Sequence, residues 1–230
     1  MFSIVENNWG FITPDRTSEL EKIFDSIGSF FPNENLVLRF LNMDFDNLKY
    51  VIVGMEPYPS SFVRDGVVVP EATGRSFEVE SLRGKTWDAK FKQSSLRNIL
   101  KAIYYARTGK NGSMEEIRKN IRDGIFPMSP PNEWFDLMEK QGVLFLNASL
   151  TVEPGNVGSH KQLWDKFVTD LIQHIEENRD VTWLLWGKDA QERVLPHVKN
   201  YVLSCHPRLP EFVTENCFKN EKLQGVNWVV

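Results

Sequence analysis

Cysteine is almost absent: only Cys205 and Cys217 occur, and neither lies in a CxxC or HxxxH spacing. A disulfide framework and a structural zinc site are therefore not expected, and both thiols should be free. No apolar run approaches the roughly 18 residues that span a bilayer, and the opening MFSIVENNWG lacks a basic segment followed by a long apolar one. The expectation is a soluble, unexported protein without a membrane role, cytoplasmic, or nuclear in a eukaryotic or viral setting. A positive excess is also missing, because 27 Lys and Arg face 31 Asp and Glu for a net charge of −4. A whole-surface nucleic-acid footprint is thereby excluded, so any DNA must meet a local patch.

Internal repeats, Gly/Ser linkers and long single-sign charge blocks are absent as well, which points to a single domain over residues 1–230; a monomer is expected. What remains is ordinary globular material. With 230 residues, 41% hydrophobic and 25% charged, the chain can bury a full core.

Helical periodicity appears at Leu20, Ile23, Phe24, Ile27, Phe30 and Phe31, with Ser18 and Glu21 in capping-box spacing, and this helix should end before Pro32. Further helices are expected from about Ser95 to Arg107, Ser113 to Ile121, Asn132 to Lys140 and Ser159 to Glu177. Four short apolar runs lie between them: Tyr50 to Val53, Val143 to Leu146, Val181 to Trp186, and Tyr201 to Leu203. None alternates with period two, so each reads as a strand covered on both faces. The fold class that follows is α/β, a three-layer α/β/α arrangement around a central, mostly parallel four-stranded sheet.

Each run ends in chemically distinctive residues, namely Gly54-Met55-Glu56-Pro57-Tyr58, Asn147, Gly187-Lys188 and Cys205-His206-Pro207. Ligands in open α/β sheets bind outside the carboxyl ends of the strands, so these segments should share one crevice. Glu56, Tyr58, Asn147 and His206 supply a carboxylate, a phenol, an amide and an imidazole, a set suited to reading a planar heterocycle or to acid–base work. Taken singly, each also reads as a loop or strand-end residue with a local partner. Phe77 could stack on a flat base or simply pack in the core. Gln93-Ser94-Ser95 and Ser159-His160 each precede a helix, where serine is either a phosphate ligand or, as the simpler reading, a cap. Trp186 reads as core, and Cys205 as a small buried residue rather than a nucleophile.

In order along the chain, Gly54-Met55-Glu56-Pro57-Tyr58-Pro59, Gly74 to Val79, Gln93-Ser94-Ser95-Leu96, Leu144 to Val152, Ser159-His160-Lys161, Leu184-Leu185-Trp186-Gly187 and His206-Pro207-Arg208-Leu209-Pro210 resemble the motifs of the Ung-type uracil-DNA glycosylases. The likeness runs from about residue 50 to 220. It implies a DNA-repair enzyme that hydrolyses the N-glycosidic bond of uracil flipped out of DNA, leaving an abasic site and requiring no metal or organic cofactor. By the same resemblance, Phe77 would stack on the base, Asn147 would read its edge, Tyr58 would crowd C5 and Met55 would act through its backbone N–H. His206 and Glu56 would be catalytic. Ser94, Ser95, Ser159, His160 and Arg208 would meet DNA, with Leu209 entering the vacated space.

The chain departs from the family pattern at Glu56, where Asp is usual, at Pro59 in place of His, and at Arg208 in place of Ser. One added methylene extends a carboxylate by about 1.5 Å. Two functional classes therefore stay open: a uracil-DNA glycosylase that tolerates Glu56, and a catalytically weak glycosylase-like DNA-binding module serving as a platform among repair or replication proteins. An unrelated nucleotide-binding protein is disfavoured, since no Gly-rich phosphate loop follows the first strand.

Overall fold

A computed structural model describes residues 7–230. Its helices are α1 (Pro14–Ser26), α2 (Ser94–Thr108), α3 (Met114–Arg122), α4 (Pro131–Lys140), α5 (Lys161–Asn178), α6 (Lys188–Val194) and α7 (Phe212–Glu215), and its strands are β1 (Tyr50–Gly54), β2 (Ser61–Arg64), β3 (Val67–Pro70), β4 (Val143–Asn147), β5 (Thr182–Trp186) and β6 (Tyr201–Ser204). Strands β4, β1, β5 and β6 form one sheet in that order, and every pairing in it is parallel.

In β1, β4 and β5 the apolar runs are buried on both faces, since successive side chains point to opposite sides; the edge strand β6 departs from that expectation, burying Val202 and Ser204 while Tyr201 and Leu203 face solvent, because it pairs on one side only. Ile52, Phe145, Leu184, Trp186 and Val202 join one core with α2, α4 and the C-terminal Trp228. Val51, Val53, Leu144, Leu146, Trp183 and Leu185 join the other with α1 and α5. Helix α5 buries Trp164, Phe167, Val168, Leu171, Ile172 and Ile175 on a single stripe, the i, i+3, i+4 pattern that its sequence spells. Three layers result. Phe145 packs edge-on against Trp134 and Phe135 at 5.8 and 4.7 Å, and truncating it to alanine would cost about 3–5 kcal/mol.

The first helix differs from the sequence expectation. It starts at Pro14, with Thr13 as cap accepting the Arg16 N–H, and it ends at Ser26 where Ile27 turns extended. Ser18 and Glu21 lie inside it. Proline at the first helical position and a capping threonine outrank the later capping-box spacing. Phe31 leaves the helix for a backbone bridge to Val152, each N–H donating to the other's carbonyl.

Strands β2 and β3 form an antiparallel hairpin that the sequence reading passed over. Its signal is Asp65-Gly66, whose φ values of +51° and +79° suit a two-residue primed turn. Val63, Val67 and Val68 are exposed on it, so no buried apolar face marks the element.

Candidate active site

Strand β1 lies between β4 and β5, and the chain leaves β1 toward β4 before crossing back to β5. This reversal opens a crevice at the carboxyl ends of β1 and β5, which is where α/β sheets place ligands. Gly54 and Gly187 let the strand ends approach closely there. A Cβ on Gly54 would lie 2.6 Å from Ser76 Cβ and 3.0 Å from Asn147 Oδ1, and one on Gly187, at φ +96°, would lie 2.8 Å from His206 Cβ. Around the crevice is a cleft of about 1000 Å³ whose wall includes Met55, Glu56, Lys161, His206, Arg208 and Leu209.

His206 follows β6 directly. Its Nδ1 accepts the Arg208 backbone N–H at 3.0 Å, and because a backbone nitrogen can only donate, the ring proton sits on Nε2. Burial, then the Arg208 charge, hold the imidazole below its ordinary value, with Asp189 acting weakly in the opposite sense. At neutral pH the ring is uncharged and presents an Nε2–H donor.

Glu56 stands at the end of β1, and both its oxygens accept the Gly158 N–H, at 3.1 and 2.8 Å. Partial burial raises its pKa, while the Gly158 amide and Lys161 lower it. The carboxylate is therefore fixed in direction by one loop and faces the same cleft as His206.

Phe77, Asn147 and Tyr58 do not line that cleft; Phe77 lies beside His206 and Asn147 beside Gly54. The Phe77 ring lies 6.5 Å from that of His206 and 5.5 Å from that of Trp186. Its backbone is left-handed, with φ +64°, a conformation that costs a bulky residue about 1–3 kcal/mol and persists only where the surroundings impose it. Asn147 pairs in register with Gly54 and is 2% exposed. Its Oδ1 is buried with no hydrogen-bond partner among the described residues. Tyr58 packs half-buried against the same core, and burial followed by the nearby Glu71 pushes its phenol well above the ordinary range. Trp186 is core, as expected, at 1% exposure.

Ser94 and Ser95 open α2 but do not cap it, since the cap residue is Gln93 and makes no side-chain bond. Ser159 Oγ accepts the Glu153 N–H at 2.8 Å and likewise caps nothing. The simple capping reading of both serine clusters is thus corrected: at each helix the serines lie off the cap position. Ser159 and His160 line a separate hollow of about 340 Å³. There the His160 ring is 7% exposed and bonded through Nδ1 to Thr151 Oγ1 at 2.9 Å.

Cys205 is half-buried rather than buried and stands in the cleft wall. Burial, then Glu215, pushes its thiol up to about 11, which keeps it protonated and poorly nucleophilic.

Several site groups escaped the sequence reading. Asn98 of α2 donates to the Pro207 and Leu209 carbonyls at 2.7 and 3.3 Å, tying the helix to the His206 loop. Glu215 of α7 accepts the Cys205 N–H at 2.6 Å and bonds Ser204 Oγ. The Asn98 contacts are long-range and the Glu215 contacts bridge a turn, and no local periodicity signals either.

No protein-family model matches the chain. The uracil-DNA glycosylase of Buchnera aphidicola subsp. Baizongia pistaciae is 32% identical over 183 residues, covering 77% of this chain and 68% of that protein. That of Borreliella burgdorferi strain ZS7 is 29% identical over 187 residues, 78% and 69% of the two. Among solved structures, mimivirus uracil-DNA glycosylase is similar with a TM-score of 0.59 and 25% identity over 84% of this chain, which spans 62% of the mimivirus chain. The UNG of Nitratifractor salsuginis has a TM-score of 0.67 at 23% identity over 90% of this chain and 85% of its own, and shows the shared fold. The chain belongs to the uracil-DNA glycosylase family and is a DNA-repair glycosylase, a hydrolase of N-glycosyl bonds.

Proposed function

We infer that the cleft takes up a uracil rotated out of DNA and cleaves the bond between its N1 and the deoxyribose C1′. The observation that carries this reading is the Arg208 N–H bonded to His206 Nδ1. It presents a neutral Nε2–H donor, the group needed to stabilise negative charge growing on O2 of the departing base. The bonding electrons leave with the base as the uracil anion, and water adds to C1′ to complete an abasic site. The Glu56 carboxylate, held by Gly158, favours the cationic sugar and accepts the water proton.

Recognition follows from the neighbouring groups. Phe77 stacks on the ring, and Asn147 Oδ1 accepts N3–H while the amide N–H meets O4. Cytosine reverses that pattern and opposes buried donors. Tyr58 closes the space beside C5 against the methyl of thymine, and Met55 contributes through its backbone. Leu209, 41% exposed, fills the vacated stack as an apolar wedge. Arg208, Ser94, Ser95 and Ser159 meet the phosphates, with His160 supporting the last.

The test is release of free uracil from single-stranded and duplex oligonucleotides carrying one deoxyuridine, at low salt. Wild type should release uracil, and Glu56→Gln and His206→Ala should each lose most of that activity. Tight binding without release, together with no effect of Glu56→Gln, would instead identify a binding module.

A further inference from the structure

We propose that Arg75 and Glu78 are positioning residues for Phe77, a role that rests on reading Phe77 as the base-stacking ring. The two flank it in sequence and are 6% and 0% exposed. Arg75 Nη1 donates to Glu78 Oε1 at 3.2 Å, while its Nε donates to Glu139 Oε1 at 2.5 Å, and Nη1 also reaches Asp136 at 2.7 Å. Both acids belong to α4. Glu78 accepts in turn from Asn132 Nδ2 at 2.9 Å and from Arg39 Nη1 at 3.2 Å. Arg39 donates to the Thr73 carbonyl at 2.9 Å, so the network grips the segment on both sides of the ring.

Backbone packing grips it as well. A Cβ on Gly74 would lie 2.2 Å from the Leu36 carbonyl oxygen, and the Ser76 N–H donates to Phe145 O of β4 at 3.2 Å. A phenylalanine at φ +64° relaxes unless its neighbours hold it, and the residues that do so here are a buried ion network. A guanidinium forked onto Glu139 fixes direction as well as distance.

The experiment measures, on the whole chain, inhibition by free uracil, binding of an undamaged single-stranded oligonucleotide, and the melting temperature. Glu78→Gln should raise the uracil inhibition constant about fivefold or more, a share of what a full base–aromatic stack provides, while undamaged-strand affinity stays within about twofold, since phosphate contacts supply it. Should Glu78→Gln fail to fold, Glu139→Gln at the rim of the network decides, with a rise of about threefold expected for a partly lost stack. Unchanged uracil inhibition in the folded variants overturns the proposal, as does a parallel loss of both affinities. Phe77→Ala run alongside separates the cases: if it too leaves uracil inhibition unchanged, the stacking role itself has failed.

Discussion

Replacing Gly187 by alanine is the sharpest available probe of the site, because the structure fixes what the added methyl meets. The new Cβ would stand 2.8 Å from His206 Cβ and 3.1 Å from its Cδ2, on a backbone at φ +96°. Carbon pairs rest at about 3.5–4.0 Å, so relief requires a shift of about 0.7 Å or more in one of the two strand ends. Part of that shift falls on the imidazole, and a catalytic group displaced by about 1 Å can lose on the order of a hundredfold in rate. The positive φ costs alanine a further 1–2 kcal/mol or so, which in a chain of this size lowers the melting temperature by roughly 2–8 °C. Single-turnover uracil release with a thermal melt on the same preparation reads both effects. A folded variant that keeps its rate within about threefold of wild type would show that Nε2–H placement does not limit catalysis, contrary to the expected hundredfold.

Asn147→Asp should lower uracil release about ten- to hundredfold and raise cytosine release above background, because the edge pattern is inverted; unaltered selectivity removes Asn147 from recognition. Acidification should abolish activity through two groups: Glu56 protonates above the ordinary carboxylate range because of burial, and His206 gains its proton below the ordinary imidazole range for the same reason. Activity, requiring Glu56 ionised and His206 neutral, is then complete above both transitions and falls as pH drops through them. A profile of rate against pH whose acid limb is identical in Glu56→Gln would exclude Glu56 as one of the titrating groups. Arg208→Ala should reduce the slope of log affinity against log salt by about 0.7–0.9, one phosphate contact, and an equal slope would place that side chain away from the backbone of bound DNA.

The strands and the sheet type were legible because they depend on local or periodic information. Apolar runs without alternation select a covered parallel sheet, as β1, β4 and β5 show, whereas the edge strand β6 keeps Tyr201 and Leu203 on a solvent face that its short apolar run did not signal. Strand ends carrying Glu56, Asn147 and His206 then converge by topology. The first helix was misjudged because its apolar periodicity continues past the cap, and Phe31 is captured by Val152 instead. The hairpin of β2 and β3 escaped notice because its valines face outward.

By itself, the order of residues settled the layers of this protein and which strand ends meet at the carboxyl edge of the sheet, since hydrophobic spacing and residue type act over a few positions. Only tertiary structure decided the proton position on His206, the Gly158 amide that aims Glu56, and the left-handed backbone at Phe77. Glu56 and Gly158 stand 102 residues apart. Such contacts form when separate loops are packed to within hydrogen-bond distance, a constraint that no local pattern encodes.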